Sequence, residues 1–325
     1  MPWMPRRVLI TGITGFAGSH LAERLVGHGH AVHGIAHESP PFPFLAGIED
    51  RITVHEGNVL DARSVEAAMS SARPEIVFHL AGQAVPTLAS ADPLAAMSVN
   101  VLGTAHVAAA TATVGAHLVA ASSADVYGIP ERVPTPEGAP AHPTNVYAAT
   151  KVAAEAVLRG AGTRIQVTIL RPCNQIGPRQ HPKLAASEFA KSIAEAEAGL
   201  ADPVIRHGQI DPQREFLDVR DMAAAYEAAM TLDHGAAQTF NVGSGSAIAV
   251  AEVLAILVRA ARIPIRTELD PERVRAGVPS LLVLDSSRFR AATGWSPALP
   301  LARSLSDTLD FWRQTVSQDV TKVRS

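Results

Sequence analysis

"RVLITGITGFAGSHLAERLVGHG", residues 7–29, decides the fold. An apolar, β-branched run (7–12) leads into glycines at 12, 15 and 18, and residues 18–29 then carry apolar side chains at helical spacing. Strand, tight turn and helix in that order predict the first unit of a parallel α/β sheet. The glycines lack the side chain that would hold a phosphate away from the backbone, and the N–H groups opening the helix face an anion. Although the spacing differs by one from G-x-G-x-x-G, its context predicts a dinucleotide-binding turn made by Gly12, Thr14, Gly15, Phe16 and Gly18.

The pattern repeats outward from this unit. Strands are expected at 31–36, 51–59, 75–82, 117–128 and 164–172, separated by helices at 62–73, 92–115 and 145–161. The fold class is therefore α/β, a doubly wound parallel sheet of the Rossmann type with a smaller, interleaved C-terminal substrate lobe. Residues 1–172 and 216–243 are assigned to the dinucleotide-binding domain, with a helix over 216–230 and a strand over 238–243. Residues 173–215 and 244–313 form the second lobe, and 314–325 a frayed polar tail.

Composition narrows the class of function. A net charge of −3, without long runs of one sign, gives no support to a nucleic-acid or membrane surface. The single Cys173 excludes a disulfide framework within the chain and suits a reducing compartment. No apolar run was expected to reach bilayer length, and no signal peptide is evident, so the expectation is a cytoplasmic protein.

The end of the second strand bears on cofactor choice. An acid there takes the ribose hydroxyls of NAD, but "GIAHES" places Ala36 and His37 at that point, with Glu38 slightly late. NADP(H) is favoured over NAD(H), with both forms tolerated. Four histidines crowd this region (His28, His30, His33, His37), but no cysteine or acid completes a ligand shell, so no metal is expected.

"NVYAATKVAAE" (145–155) puts Tyr147 and Lys151 four residues apart, on one helix face, in a chain with only three tyrosines and four lysines. A nearby ammonium favours the phenolate and lowers the phenol pKa, which converts a poor base into an acid/base group. "SSADVYG" (122–128) ends the fifth strand at the sheet edge where open α/β folds bind ligands. Ser123 is placed to donate to a developing oxyanion, whereas Ser122 reads as an ordinary strand-to-loop residue.

Together, Gly12/Gly15/Gly18, "HLAG", Ser123, Tyr147 and Lys151 resemble the extended short-chain dehydrogenase/reductases that act on nucleotide sugars. The resemblance implies a catalytic Ser123, Tyr147 and Lys151, with the lysine also holding the nicotinamide ribose. It places Asn58 and Val59 beside the adenine and Leu80, Ala81 and Gly82 against the cofactor; His37, at the end of the second strand, is counted with the cofactor-binding residues. Asn100 becomes a structural asparagine beneath that site, and a homodimer pairing helices 94–115 and 145–161 is the family expectation. "RPCNQIGPRQ", "QREFLDVRDMAAAY" and "TGWSP" are most similar to GDP-6-deoxy-4-keto-mannose reductases, with GDP-mannose 4,6-dehydratases the next relatives. By that likeness Asn174, Arg179, Arg214 and Arg275 hold a GDP-linked sugar, a role arginine's bidentate fork suits.

Sugar dehydratases need an acid pair, or a serine and a glutamate, after the catalytic serine. Here Ala124 does no proton chemistry and Asp125 is one methylene short of glutamate. The expectation is an NAD(P)H-dependent 4-keto reductase making GDP-D-rhamnose; the alternatives are a dehydratase, an epimerase that recycles its cofactor, or a non-catalytic cofactor-binding regulator. "RAGVP" (275–279) is shorter than the family's segment and lacks its acid, and "GQAVPTLASADP" (82–93) lacks the usual aromatic residue. Both flank the sugar site and leave the hexose and base open.

Overall fold

Val8, Leu9 and Ile10 are all fully buried, so both faces of the first strand are covered, as a central parallel strand requires. The computed structural model describes residues 4–233, 235–274 and 280–324, with side chains through residue 319. The first half runs β1 (Arg7–Thr11), α1 (Phe16–Gly27), β2 (Ala31–Ala36), β3 (Ile52–Glu56), α2 (Ala62–Ala72), β4 (Ile76–His79), α3 (Pro86–Ala91), α4 (Pro93–Met97), α5 (Gly103–Val114), β5 (His117–Ala121), α6 (Val146–Ala161) and β6 (Val167–Pro172). The remainder adds β7 (Asn174–Ile176), α7 (Ala185–Glu197), β8 (Val204–His207), β9 (Gln213–Asp218), α8 (Val219–Ala229), β10 (Gln238–Val242), β11 (Ala247–Ala249), α9 (Val250–Arg259), β12 (Arg266–Leu269), β13 (Leu281–Leu282), α10 (Ser287–Thr293) and α11 (Leu301–Arg324).

Seven strands form one parallel sheet in the order β10-β6-β5-β4-β1-β2-β3. The order reverses between β1 and β4, which opens a crevice above their carboxyl ends. One layer of helices packs α1 and α8 on the sheet through Leu21, Leu25, Met222 and Tyr226; the other uses α2, α5 and α6 through Val65, Met69, Val107 and Leu158. Smaller sheets (β7, β9, β11 and β13; β8 with β12) lie beyond it, with a separate core of Phe189, Ile193, Leu257, Leu309 and Trp312.

Three sequence expectations change. Residues 216–218, expected to open the helix, instead end strand β9, because Arg214 and Leu217 alternate in pairing with β11 and β7; the helix begins only after Asp218 accepts the Arg220 N–H as its cap. The segment expected as a frayed tail continues α11 to Arg324, and Val316 is buried on the second core. Finally, Pro93–Val114 is one helical run of 22 residues, long and apolar enough to cross a membrane, contrary to the expectation that no run reaches that length. Its Val107, Ala108 and Ala110 belong to the buried core, and a π-helical turn at Ser98–Leu102 interrupts it around Asn100.

Candidate active site

The glycine turn is built for close backbone approach. Gly12 has φ +73°, in the left-handed region that favours glycine, and a Cβ on Gly18 would overlap the Gly12 carbonyl oxygen. Gly15 caps α1 without a side-chain bond, and no acidic residue occupies the first turn, so free N–H groups face the crevice. These features suit the pyrophosphate of a dinucleotide. Thr14, Gly15, Phe16 and Gly18 wall a cavity of ≈ 840 Å³ that runs past His37, Asn58 and Val59 to Leu80, Ala81 and Gly82, and on to Ser123, Asp125, Tyr147 and Lys151. One element of the sequence reading is corrected here: the end of β2 does have a carboxylate at hand. Glu38 turns back over the glycine loop and accepts the Thr14 hydroxyl at 2.9 Å, because the loop after β2 curls toward it.

Behind Gly82 lies a buried polar chain that rigidifies the site. The Asn100 side chain accepts the Gln83 N–H at 2.7 Å and donates to the Gln83 carbonyl at 3.1 Å and Thr150 Oγ1 at 2.8 Å. Thr150 in turn donates to the Tyr147 carbonyl. Asn100 is thus beneath the cofactor loop and does not line the cavity. His79 bonds Thr11 Oγ1 at 2.8 Å and Thr104 Oγ1 at 2.9 Å. Thr104 spends its proton on the Asn100 carbonyl, so His79 Nε2–H must donate to Thr104 and Nδ1 must accept from Thr11. Burial, aided by the Lys151 charge, keeps this ring neutral by lowering its pKa to about 3.

Asn145 caps α6 by accepting the Ala148 N–H at 2.8 Å, which sets the register of Tyr147 and Lys151 at the mouth of the crevice. Tyr147 is buried, with its hydroxyl beside the Ser123 side chain. Lys151 Nζ sits 5.9 Å from the Tyr147 ring centre and donates to the Ala121 carbonyl at 2.9 Å. Burial pushes the Lys151 ammonium down to about 8 despite the nearby Glu155. The expected lowering of the phenol pKa is not what this arrangement gives. Burial raises Tyr147 well above its ordinary value, and the Asp125 charge adds to the rise, with only the neighbouring Ser123 side chain opposing it. Tyr147 is a protonated phenol poised to give a proton away.

Ser123 is in extended conformation, and its hydroxyl accepts the Asp125 N–H at 3.1 Å, capping the turn Ala124–Tyr127. Ser122 faces the other way and donates to Glu155 at 2.6 Å. Burial raises the Asp125 carboxyl, and the Arg214 charge pulls it back in part.

The expected sugar-side residues divide. Asn174 and Arg214 line the cavity. Arg179 does not: at φ +73° it turns toward α1, pairing with Glu23 at 2.5 Å, bonding Ser19 and lying over Phe44. It ties the 177–180 loop to α1. Arg275 and the "RAGVP" segment lie outside the described residues. The clustered histidines diverge: His28 and His30 turn to Glu227, His33 stacks on His55, and His37 is exposed. Gln175, Gln180 and Tyr226 also wall the cavity and were not anticipated. Gln175 and Gln180 stand in "NQIGPRQ", beside a residue the sequence did single out; Tyr226 gives no signal within an alanine-rich helix.

A glycine turn at the switch point of a parallel sheet, facing a Ser/Tyr/Lys cluster, defines a nicotinamide-dependent Rossmann enzyme. More specifically, the chain belongs to the NAD dependent epimerase/dehydratase family, which matches residues 8–243. It is 31% identical to the GDP-6-deoxy-D-mannose reductase of Pseudomonas aeruginosa over 97% of this chain and 100% of that one. It is 32% identical to the UDP-glucose 4-epimerase of Mycolicibacterium smegmatis, covering 94% and 98% respectively. Among solved structures, RMD from Pseudomonas aeruginosa complexed with NADPH aligns with a TM-score of 0.81 at 29% identity, over 95% of this chain and 99% of that one. UDP-glucose 4-epimerase from Thermus thermophilus, in complex with NAD, aligns at 0.82 and 29% over 94% and 99%. The chain is a nucleotide-sugar enzyme of the oxidoreductase type.

Proposed function

We propose that the chain reduces the 4-keto group of a nucleotide-linked 6-deoxyhexose, with GDP-6-deoxy-4-keto-D-mannose as substrate and GDP-D-rhamnose as product. The observation that carries this is the pairing of a protonated Tyr147 with Ala124–Asp125 after Ser123. A bound reduced nicotinamide supplies the hydride. The chain's part is to polarise the ketone through the Ser123 hydroxyl and to deliver the Tyr147 proton to the oxygen as it becomes an alkoxide. Lys151 steadies the charge left on the phenol and holds the ribose. Ala124 provides no second proton-transfer group, and the short Asp125 is drawn toward Arg214, which argues against abstracting a proton beside the ketone. Arg214 and Asn174 are the proposed contacts of the nucleotide diphosphate, and Glu38 supports NAD(H) over the NADP(H) expected from Ala36 alone, since it repels a 2′-phosphate and accepts from ribose hydroxyls. Pairing of the helices at 94–115 and 145–161, where Leu94, Met97 and Leu102 are exposed, supports a homodimer.

The second reading is a UDP-glucose 4-epimerase, favoured by the 32% relative. The two differ in stoichiometry. A reductase consumes one reduced cofactor per product, so GDP-6-deoxy-4-keto-mannose with NAD(P)H should give matching loss of the reduced-nicotinamide absorbance. Conversion of UDP-glucose to its C4 epimer without cofactor consumption would overturn the reductase assignment. A 4-keto product made from GDP-mannose would overturn it in favour of a dehydratase.

A further inference from the structure

Three buried polar atoms of cavity-wall residues have no hydrogen-bond partner among the described residues: Gln180 Oε1, and the Tyr226 hydroxyl and Gln175 Oε1, which lie side by side. Buried polar groups are nearly always paired, so an unpaired donor beside an unpaired acceptor points to a ligand that supplies both halves. Tyr226 is 1% exposed, on α8, with its ring edge-on to Phe78 at 6.3 Å. Gln175 is held by the pairing of β7 with β9, and its carbonyl accepts Gln180 Nε2 at 2.5 Å. Its side-chain amide lies beside the Tyr226 hydroxyl without the geometry of a hydrogen bond, and Tyr147 is near enough to act on Tyr226 through charge. The two groups therefore stand at the Tyr147 end of the cavity, away from Glu38 and Asn58.

We infer that Tyr226 and Gln175 are the clamp for the carboxamide of the nicotinamide ring. A carboxamide presents one acceptor oxygen and an NH2 donor on the same planar group. The Tyr226 O–H donates to that oxygen, and Gln175 Oε1 accepts from that nitrogen. A phosphate carries acceptors alone and would leave Gln175 Oε1 opposed by a like partial charge. Burial raises the Tyr226 pKa, so the phenol remains a donor throughout the working pH range. The consequence is positional: fixing the carboxamide fixes which face of the ring is turned toward Tyr147 and Ser123.

The inference rests on the nicotinamide reading, and the test separates the two. NAD+ and ADP-ribose, which lacks the nicotinamide, are titrated by calorimetry into the full chain and into Tyr226→Phe and Gln175→Met. Each variant should weaken NAD+ by about three- to tenfold, the span of one net hydrogen bond. ADP-ribose affinity should be unchanged, which also shows that the variants are folded. Equal losses for both ligands would assign the two residues to general packing and overturn the inference. Unchanged NAD+ affinity in both variants would overturn it as well. Wild-type protein that binds ADP-ribose and NAD+ equally would overturn the nicotinamide reading, and the clamp with it.

Discussion

The ammonium of Lys151 is costly to the fold, and the cost is measurable. Its stem is half-buried, its head is enclosed, and burial lowers its pKa from 10.5 to about 8. A shift of that size corresponds to about 3 kcal/mol between the two protonation states. Because the folded value is the lower one, the unfolded chain holds more protons between about pH 8 and pH 10.5, and stability rises with pH across that window. Lys151→Met removes the charge but keeps the length of the stem. It forfeits the bond to the Ala121 carbonyl, worth about 1 kcal/mol. The cofactor-free variant should therefore be more stable than wild type by about 2 kcal/mol at neutral pH. That advantage should shrink as the pH approaches 10.5, where the wild-type lysine is neutral in both states. Urea denaturation of both proteins at several pH values gives the comparison directly. A difference that does not change with pH, or a variant less stable at neutral pH, would refute the claim that burial holds this lysine near neutrality.

Tyr147→Phe should lower turnover by about 10²-fold or more, since it removes the proposed general acid, while cofactor affinity measured by calorimetry stays near wild type. Glu38→Ala should shift the NADPH/NADH preference toward NADPH by about tenfold, the scale of one charge repulsion near a protein surface; an unchanged ratio in steady-state kinetics would remove Glu38 from cofactor choice. Gly18→Ala drives a Cβ into the Gly12 carbonyl, backbone against backbone, and should abolish NAD+ binding or folding, read by calorimetry and circular dichroism.

The central sheet was legible because its strands are covered on both sides and read as unbroken apolar runs, and because glycine has no substitute at Gly12 and Gly18. Tyr147 and Lys151 stand out as candidates by rarity and spacing, and Ser123 by its place at the end of the fifth strand; the structure brings the three to one cavity. What the sequence hid is long-range. Nothing local distinguishes Arg214, which faces the cavity, from Arg179, which is captured by Glu23 on α1. Glu38 fell outside a fixed-offset rule because a loop, not a strand, carries it back to Thr14. The phenol pKa was misjudged because helical spacing gives the approach of Lys151 to Tyr147 but not the burial that outweighs it.

Behind the reacting groups, charge is paired tightly; in front of them it is not. Glu155, one turn beyond Lys151, is 1% exposed and accepts from Arg171 at 2.6 and 2.7 Å, from Arg159 at 2.6 Å and from Ser122 at 2.6 Å. Burial would raise its carboxyl, but the Arg171 bonds and charge more than offset that, so it stays ionised. Removing one partner from such a buried pair typically costs 3–5 kcal/mol, which makes this cluster a fixed mount for the helix that carries Tyr147 and Lys151. Asp125 and Arg214 act on one another through charge across the open cavity, and burial disfavours the charged form of each. A ligand entering between them meets an anion and a cation that are not saturated by protein partners. On the proposed reading, a diphosphate engages Arg214, and Asp125 then loses the charge that lowers its pKa and tends toward its protonated form. A protonated Asp125 no longer raises the pKa of Tyr147, so the proposed substrate would itself ease release of the phenolic proton.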